Sequence, residues 1–190
     1  YLNNAMFRLL DLTYANASYS VRTVFSMTGG DLGTGTGNLS ETLTVQNLTG
    51  GSLDFHFFQY ADFDLGGGDS VVFSQNTVNG QYYKATQTSS LRSVTETITS
   101  AAPPIGHFEA GIFPSTLNSL NNGNPTTLSD TTSAGPGDAT FAYQWDVTLA
   151  PGASFQISKL ISVVPEPSTS VLAIAGIALL GWLQRRQRAG

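Results

Sequence analysis

The sequence predicts an all-β protein. We expect an antiparallel β-sandwich or jelly-roll-like ectodomain with one short helix over residues 1–163, then a single C-terminal transmembrane helix within residues 164–190. Three observations carry this expectation. Apolar residues recur at every second position through most of the chain, the spacing of a half-buried strand. Glycine- and asparagine-rich clusters separate these runs at short intervals, as in sandwiches. The last stretch abandons alternation for an uncharged apolar run closed by arginines.

The strands follow in order. In residues 21–28, Val21, Thr23, Phe25 and Met27 share a face. Residues 39–48, 52–60, 69–78, 81–88 and 91–99 are further strands. Gly29-Gly30-Asp31, Thr49-Gly50-Gly51 and Gly66-Gly67-Gly68 separate them. Asn79-Gly80 between Val78 and Gln81 reads as a two-residue hairpin turn. Residues 114–120 suit a short helix, stopped at Asn121-Asn122-Gly123. Residues 129–138, with Gly135-Pro136-Gly137, read as a mobile loop. The clearest strand is 141–149, with Phe141, Tyr143, Trp145, Val147 and Leu149 on one face. Pro151-Gly152 suits a type II turn, and alternation resumes from Phe155 to Val163. These last two strands are expected to form a hairpin.

Composition narrows the function classes. Charged residues make up 11% of the chain, against about 25% in an ordinary soluble domain. The absence of cysteine removes disulfide frameworks, thiolate metal sites and thiol catalysis. Three of the eight basic residues lie beyond Leu183 and one of the thirteen acids is Glu166, so the preceding chain holds five basic against twelve acidic groups. Such a body repels phosphate backbones, and nucleic acid is not an expected partner. The chain starts at Tyr1 without a visible leader, which fits either a removed signal peptide or a fragment.

Reactive groups are few, and no enzyme activity is expected. The histidines are His56 and His107. Asp54, His56, Phe58 and Tyr60 share a strand face, so Asp54 could orient a catalytic His56. A hydrogen-bonded histidine on a mixed sheet face is the plainer alternative. No catalytic motif surrounds either histidine. Asp62, Asp64 and Asp69, around a glycine-rich turn, are the candidate ligands for a metal, and calcium is the one cofactor considered. The match to a calcium loop is partial, because position twelve counted from Asp62 is Phe73. Good turn formers explain the same residues equally. The many aromatics read as core, or as a surface that stacks on sugar rings.

The tail is the sharpest discontinuity. Residues 171–183, with Val171 and Leu183 at the ends, carry no charge. They would make about 20 Å of helix at 1.5 Å per residue, short against a hydrocarbon core of about 30 Å. Starting the span at Ser168 lengthens it, and Trp182 and the arginines suit an interface. Arg185, Arg186 and Arg188 within the basic tail 184–190 would then lie on the cytoplasmic side, with everything before Pro165 outside. Pro165 and Pro167 disfavour both helix and ladder around Glu166, which would hold this stretch extended and open between domain and bilayer.

Val164-Pro165-Glu166-Pro167, the apolar segment and the terminal arginines together resemble the bacterial PEP-CTERM sorting signal. The stretches Phe58-Gln-Tyr60-Ala-Asp62-Phe-Asp64-Leu and Ala142-Tyr-Gln-Trp145-Asp-Val-Thr-Leu149-Ala-Pro-Gly152 resemble, more weakly, the ectodomains that carry it. The resemblance implies that Val164, Pro165, Glu166 and Pro167 form the motif recognised by an exosortase, a membrane protease-transpeptidase. It implies a transient membrane span at residues 168–183 and a cytoplasmic stop at Arg185, Arg186 and Arg188. It further implies export to the cell surface or the extracellular space, with extracellular polysaccharide of a biofilm matrix as a possible partner. The competing expectations for the body are a non-enzymatic matrix protein and a carbohydrate-binding module, calcium-assisted or not.

Overall fold

The computed structural model describes residues 8–31, 33–77 and 80–165 of the chain. They form eleven strands and one helix. In chain order the strands are β1 (Leu9–Ala15), β2 (Tyr19–Gly29), β3 (Gly37–Asn47), β4 (Leu53–Ala61), β5 (Asp69–Gln75), β6 (Tyr82–Thr88), β7 (Arg92–Ile98) and β8 (His107–Ile112). Helix α1 (Ser115–Asn121) follows, then β9 (Ser133–Gly137), β10 (Ala139–Leu149) and β11 (Ser154–Pro165). All pairings are antiparallel.

The strands make two sheets. The large one runs β1-β2-β3-β11-β7-β6-β5-β9, and the small one runs β4-β10-β8. Alternation decides what lies between them. Val45 and Leu43 of β3, Phe155 and Ile157 of β11, and Val71 and Phe73 of β5 face inward from the large sheet. Phe141, Tyr143 and Trp145 of β10, each at most 1% exposed, face them from the small sheet. Rings meet across the gap: Phe108 lies 4.7 Å from Phe73 and 4.4 Å from Tyr82, and Phe57 lies 6.5 Å from Phe155. Burial of these large side chains away from water is the main stabilising term.

The expected hairpin of the last two strands does not form. The turn itself is present: Ala153 N–H donates to the Ala150 carbonyl at 3.0 Å, and Gly152 takes φ +72°. Yet β10 pairs with β4 and β8, while β11 pairs with β3 and β7. The chain crosses from one sheet to the other at this corner. Both strands carry their apolar side chains toward the same core, which places them in opposite layers as readily as side by side. Asn47, fully buried, holds the crossing. Its Nδ2 donates to the carbonyls of Leu149, Ala150 and Gly51, and its Oδ1 accepts from Thr49 N–H.

Three other expectations change. Residues 129–138 are not a loop throughout, because β9 pairs along β5 at the edge of the large sheet. Gly135, at φ +109°, allows the close pass: a Cβ there would stand 2.5 Å from the Asp69 carbonyl oxygen. The β5–β6 turn is wider than two residues, since Asn76 N–H donates to the Gln81 carbonyl. Val78 and Asn79 lie outside the described residues. Strands β1 and β8 had no counterpart in the sequence expectation. Helix α1 agrees with it, capped by Asn122 with Gly123 at φ +76°.

Candidate functional site

The outer face of the small sheet gathers polar groups. Even-numbered residues of β4 and β10 point outward, as do His107 and Glu109 of β8. The segment from Phe113 to Asp130 roofs part of this face. Thr116 Oγ1 donates to Glu109 Oε1 at 2.6 Å, Ser129 N–H to Glu109 Oε2 at 3.1 Å, and Leu128 N–H to Gln144 Oε1 at 2.9 Å. These bonds bury Thr140, Ala142 and Gln144, so β10 is covered on both faces there.

Beside the roof lies a groove of about 270 Å³. His56, Phe58, Gln144 and Asp146 form its floor, and Leu120 and the 124–127 segment form its rim. His56 Nδ1 stands 2.7 Å from Asp146 Oδ1. Gln144 Nε2 donates to both Asp146 oxygens, at 2.9 and 3.0 Å. Burial by itself would raise the Asp146 carboxyl, but these donors, with the charges of His56 and His107, hold it below its ordinary value. The partner expected for His56, Asp54, instead accepts from Thr148 Oγ1 at 2.6 Å. Residues two apart on a strand are nearly 7 Å distant, whereas Asp146 is directly opposite His56 across the β4–β10 ladder. His107 has its own acid, with Nδ1 3.0 Å from Asp130 Oδ2. The floor therefore offers an oriented carboxylate, an imidazole and an aromatic ring, with the buried Gln144 amide engaged by Asp146 and Leu128. Such a set suits hydrogen bonding and stacking on a hydroxylated ligand.

The candidate metal residues border an open depression of about 640 Å³ with Asp138. Asp62 and Asp64 stay on its rim, where Tyr60 Oη donates to Asp62 Oδ2 at 3.2 Å and Gly66 N–H to Asp64 Oδ1 at 3.3 Å. Asp69 is 3% exposed and turns inward. Its oxygens accept from Ala139 N–H at 2.8 Å and Gln87 Nε2 at 2.9 Å. Asp138 is pushed up by desolvation and then by the charges of Asp62, Asp69 and Asp64. Among the described residues no group of three or more His, Asp or Glu side chains is arranged to hold a metal ion.

The C-terminal exit is the third place of interest. Val164 and Pro165 were expected to begin an open stretch, but both belong to β11. Val164 pairs with Ser93 and Pro165 with Arg92 of β7. Pairing with β3 has already ended at Val163, so the missing N–H of Pro165 leaves one side of the ladder unharmed. Gly35, at φ +66°, leaves room for this ring: a Cβ there would stand 2.9 Å from Pro165 Cγ. Glu166, Pro167, Val171, Leu183, Arg185, Arg186 and Arg188 lie outside the described residues. Among the described residues no helix is long and apolar enough to cross a membrane.

These features define a two-sheet antiparallel domain whose described residues end on β11 at Pro165. Residues 163–188 match the family described as the PEP-CTERM protein-sorting motif, so the chain carries that sorting signal. The motif implies an exported protein, membrane-associated sorting and processing by an exosortase. No curated protein matches the chain. A solved structure titled "Putative kojibiose phosphorylase from human microbiome" is similar at 6% identity and a TM-score of 0.42, over 94% of this chain. The chain spans 20% of that protein's length, and at this score the likeness carries no argument.

The sequence reading missed Asp146 as the partner of His56, together with Gln144 and the 124–127 rim. A signal existed for the first: Asp146 is the one charged residue in the 141–149 strand and occupies its outward parity.

Proposed function

We propose that this chain is a non-enzymatic bacterial surface or extracellular-matrix protein. The two-sheet domain is a β-sandwich ectodomain that is exported, held for a time at the membrane through residues 168–183, and released to the surface or the exterior by an exosortase acting at Pro165-Glu166-Pro167. The observation that carries this reading is the sorting motif at residues 163–188, set directly against the end of a central strand. Replacement of Pro165, Glu166 and Pro167 by alanine in the native host is expected to leave an unprocessed protein in the membrane fraction. Processing and release at the wild-type level would sink the proposal.

A second reading concerns the ligand. The groove floored by His56, Phe58, Gln144 and Asp146 favours a carbohydrate-binding role within an extracellular polysaccharide matrix. Phe58 supplies a stacking surface, and Asp146 and His56 supply paired polar groups. Titration against an oligosaccharide panel is expected to give binding that Phe58→Ala abolishes. Binding unaffected by that change would place any sugar contact elsewhere.

A further inference from the structure

Three charged residues occupy inward positions where alternation calls for apolar ones. Lys159 of β11 follows Phe155 and Ile157 on the core-facing side and is 6% exposed. Its Nζ stands 2.8 Å from Glu41 Oε2 and 3.4 Å from Glu96 Oε2. Glu41 lies directly opposite Lys159 on β3, and Glu96 lies one diagonal step away on β7, opposite Ile161. Glu96 is 1% exposed. The space beside Lys159 and Glu41, walled by Leu43, Phe57, Gln59 and Ile157, has no room for a water molecule.

As an ion cluster this arrangement is poor. It sets two carboxyls against one ammonium in a dry place, where an unbalanced charge is costly. Glu96 also keeps a fully buried oxygen, Oε1, with no hydrogen-bond partner. Burial raises the Glu96 carboxyl; the charge and hydrogen bond of Lys159 oppose this without reversing it. Of the two carboxyls, Glu96 is the one whose burial and unpartnered Oε1 favour the protonated acid, whose hydroxyl can leave. The nearer carboxylate, Glu41, touches the ammonium and can take its proton.

We propose that Lys159 and Glu96 become joined by an intramolecular amide bond once the domain has folded. Glu41 accepts one proton from the Lys159 ammonium, which leaves a neutral amine. The amine lone pair attacks the Glu96 carbonyl carbon to form the C–N bond. The tetrahedral centre collapses as the C–O bond to the former hydroxyl breaks. The second nitrogen proton passes, through Glu41, to that leaving oxygen. One water departs, one amide forms, and Glu41 is left neutral, so atoms and charge balance without any co-reactant. Proximity supplies the drive: the amine is held 3.4 Å from Glu96 Oε2, one bond from the carbon it attacks. The product replaces two buried ionisable groups by one neutral amide, and a site that excludes water disfavours hydrolysis. The bond would clamp β11, the strand that enters the sorting tail, to its neighbour β7.

Peptide mapping of the purified full chain tests this. After denaturation, trypsin is expected not to cut after Lys159, and the protein is expected to be one water lighter than its sequence. A second protease should then release a linked pair of fragments carrying Glu96 and Lys159. Glu41→Gln and Lys159→Met are each expected to restore the unlinked mass. Normal cleavage after Lys159 in a wild-type chain of full mass overturns the proposal, whatever the variants do, and so does a link mapped to Glu41.

Discussion

The outer faces of the two sheets are built from different chemistry. The large sheet presents hydroxyls: Thr42 and Thr44 of β3, Ser158 and Ser162 of β11, Thr95 and Thr97 of β7, Thr86 and Thr88 of β6. They bond to each other or to nearby amides, as Thr86 does with Thr95 at 3.3 Å and Ser162 with Asn38 at 2.7 Å. The small sheet presents both histidines of the chain, each beside an aspartate, with a roof over part of its surface. This hydroxyl lattice keeps the sheet soluble, with its fixed charges set apart on the Arg22–Asp11 pair and Lys84. An oriented His–Asp pair beside an aromatic offers a place to bind. The two faces therefore differ in kind, and the histidines are confined to the small sheet.

Changes at β11 and the core bear on both faces and should have the largest effects. In the large sheet β11 alone joins β1-β2-β3 to β7-β6-β5-β9. A chain ending at Ala153 is expected not to fold, whereas one ending at Pro165 should show a cooperative melt. A folded short chain in circular dichroism would mean that the two halves of the sheet stand alone. Trp145→Ala, at a fully buried position, should cost about 3–5 kcal/mol in denaturant melts. Next comes Asp69→Ala, which strands the buried Ala139 N–H and part of Gln87; about 3 kcal/mol is expected. A loss near zero would return Asp69 to the role of ligand.

The two outer faces should then separate at small effect sizes. Asp146 has a lowered carboxyl in the folded state, so its stabilising contribution is full above its ordinary value of 3.8 and disappears as pH falls through the lowered value. Asp146→Asn should flatten the acid limb of the stability curve. Because the pair is largely exposed, the change at neutral pH should stay under about 1 kcal/mol. Thr95→Ala, on the hydroxyl face, should stay within about 0.5 kcal/mol at every pH. Equal pH responses in these two variants would erase the distinction between the faces.

How much of this was legible follows from particular residues. The odd-numbered series Phe141 to Leu149 announced β10, and its inward face is as expected. The same series could not reveal that Thr140, Ala142 and Gln144 are also buried, since their cover comes from residues 113–130. Periodicity identifies a face but no partner, which is why the β10–β11 turn was recognised and their pairing was wrong. Gly135-Pro136-Gly137 carries turn chemistry and still lies on an edge strand, where few ladder bonds are needed. For the groove, period two correctly grouped His56 with Phe58, while Asp146 required knowing the register. Glu41, Glu96 and Lys159 were readable in principle, because each interrupts an apolar alternation.

The place of β11 also sets an order in time. It is the last strand among the described residues, yet it lies in the middle of the large sheet. A chain that emerges from an export channel beginning with its N-terminus can pair β1 with β2 and β6 with β7 early, but the two groups stay separate until Pro165 is through. Closure of the sheet thus waits for the residues that adjoin the sorting motif. Folding of the domain and exposure of its C-terminal signal are therefore tied to the same strand.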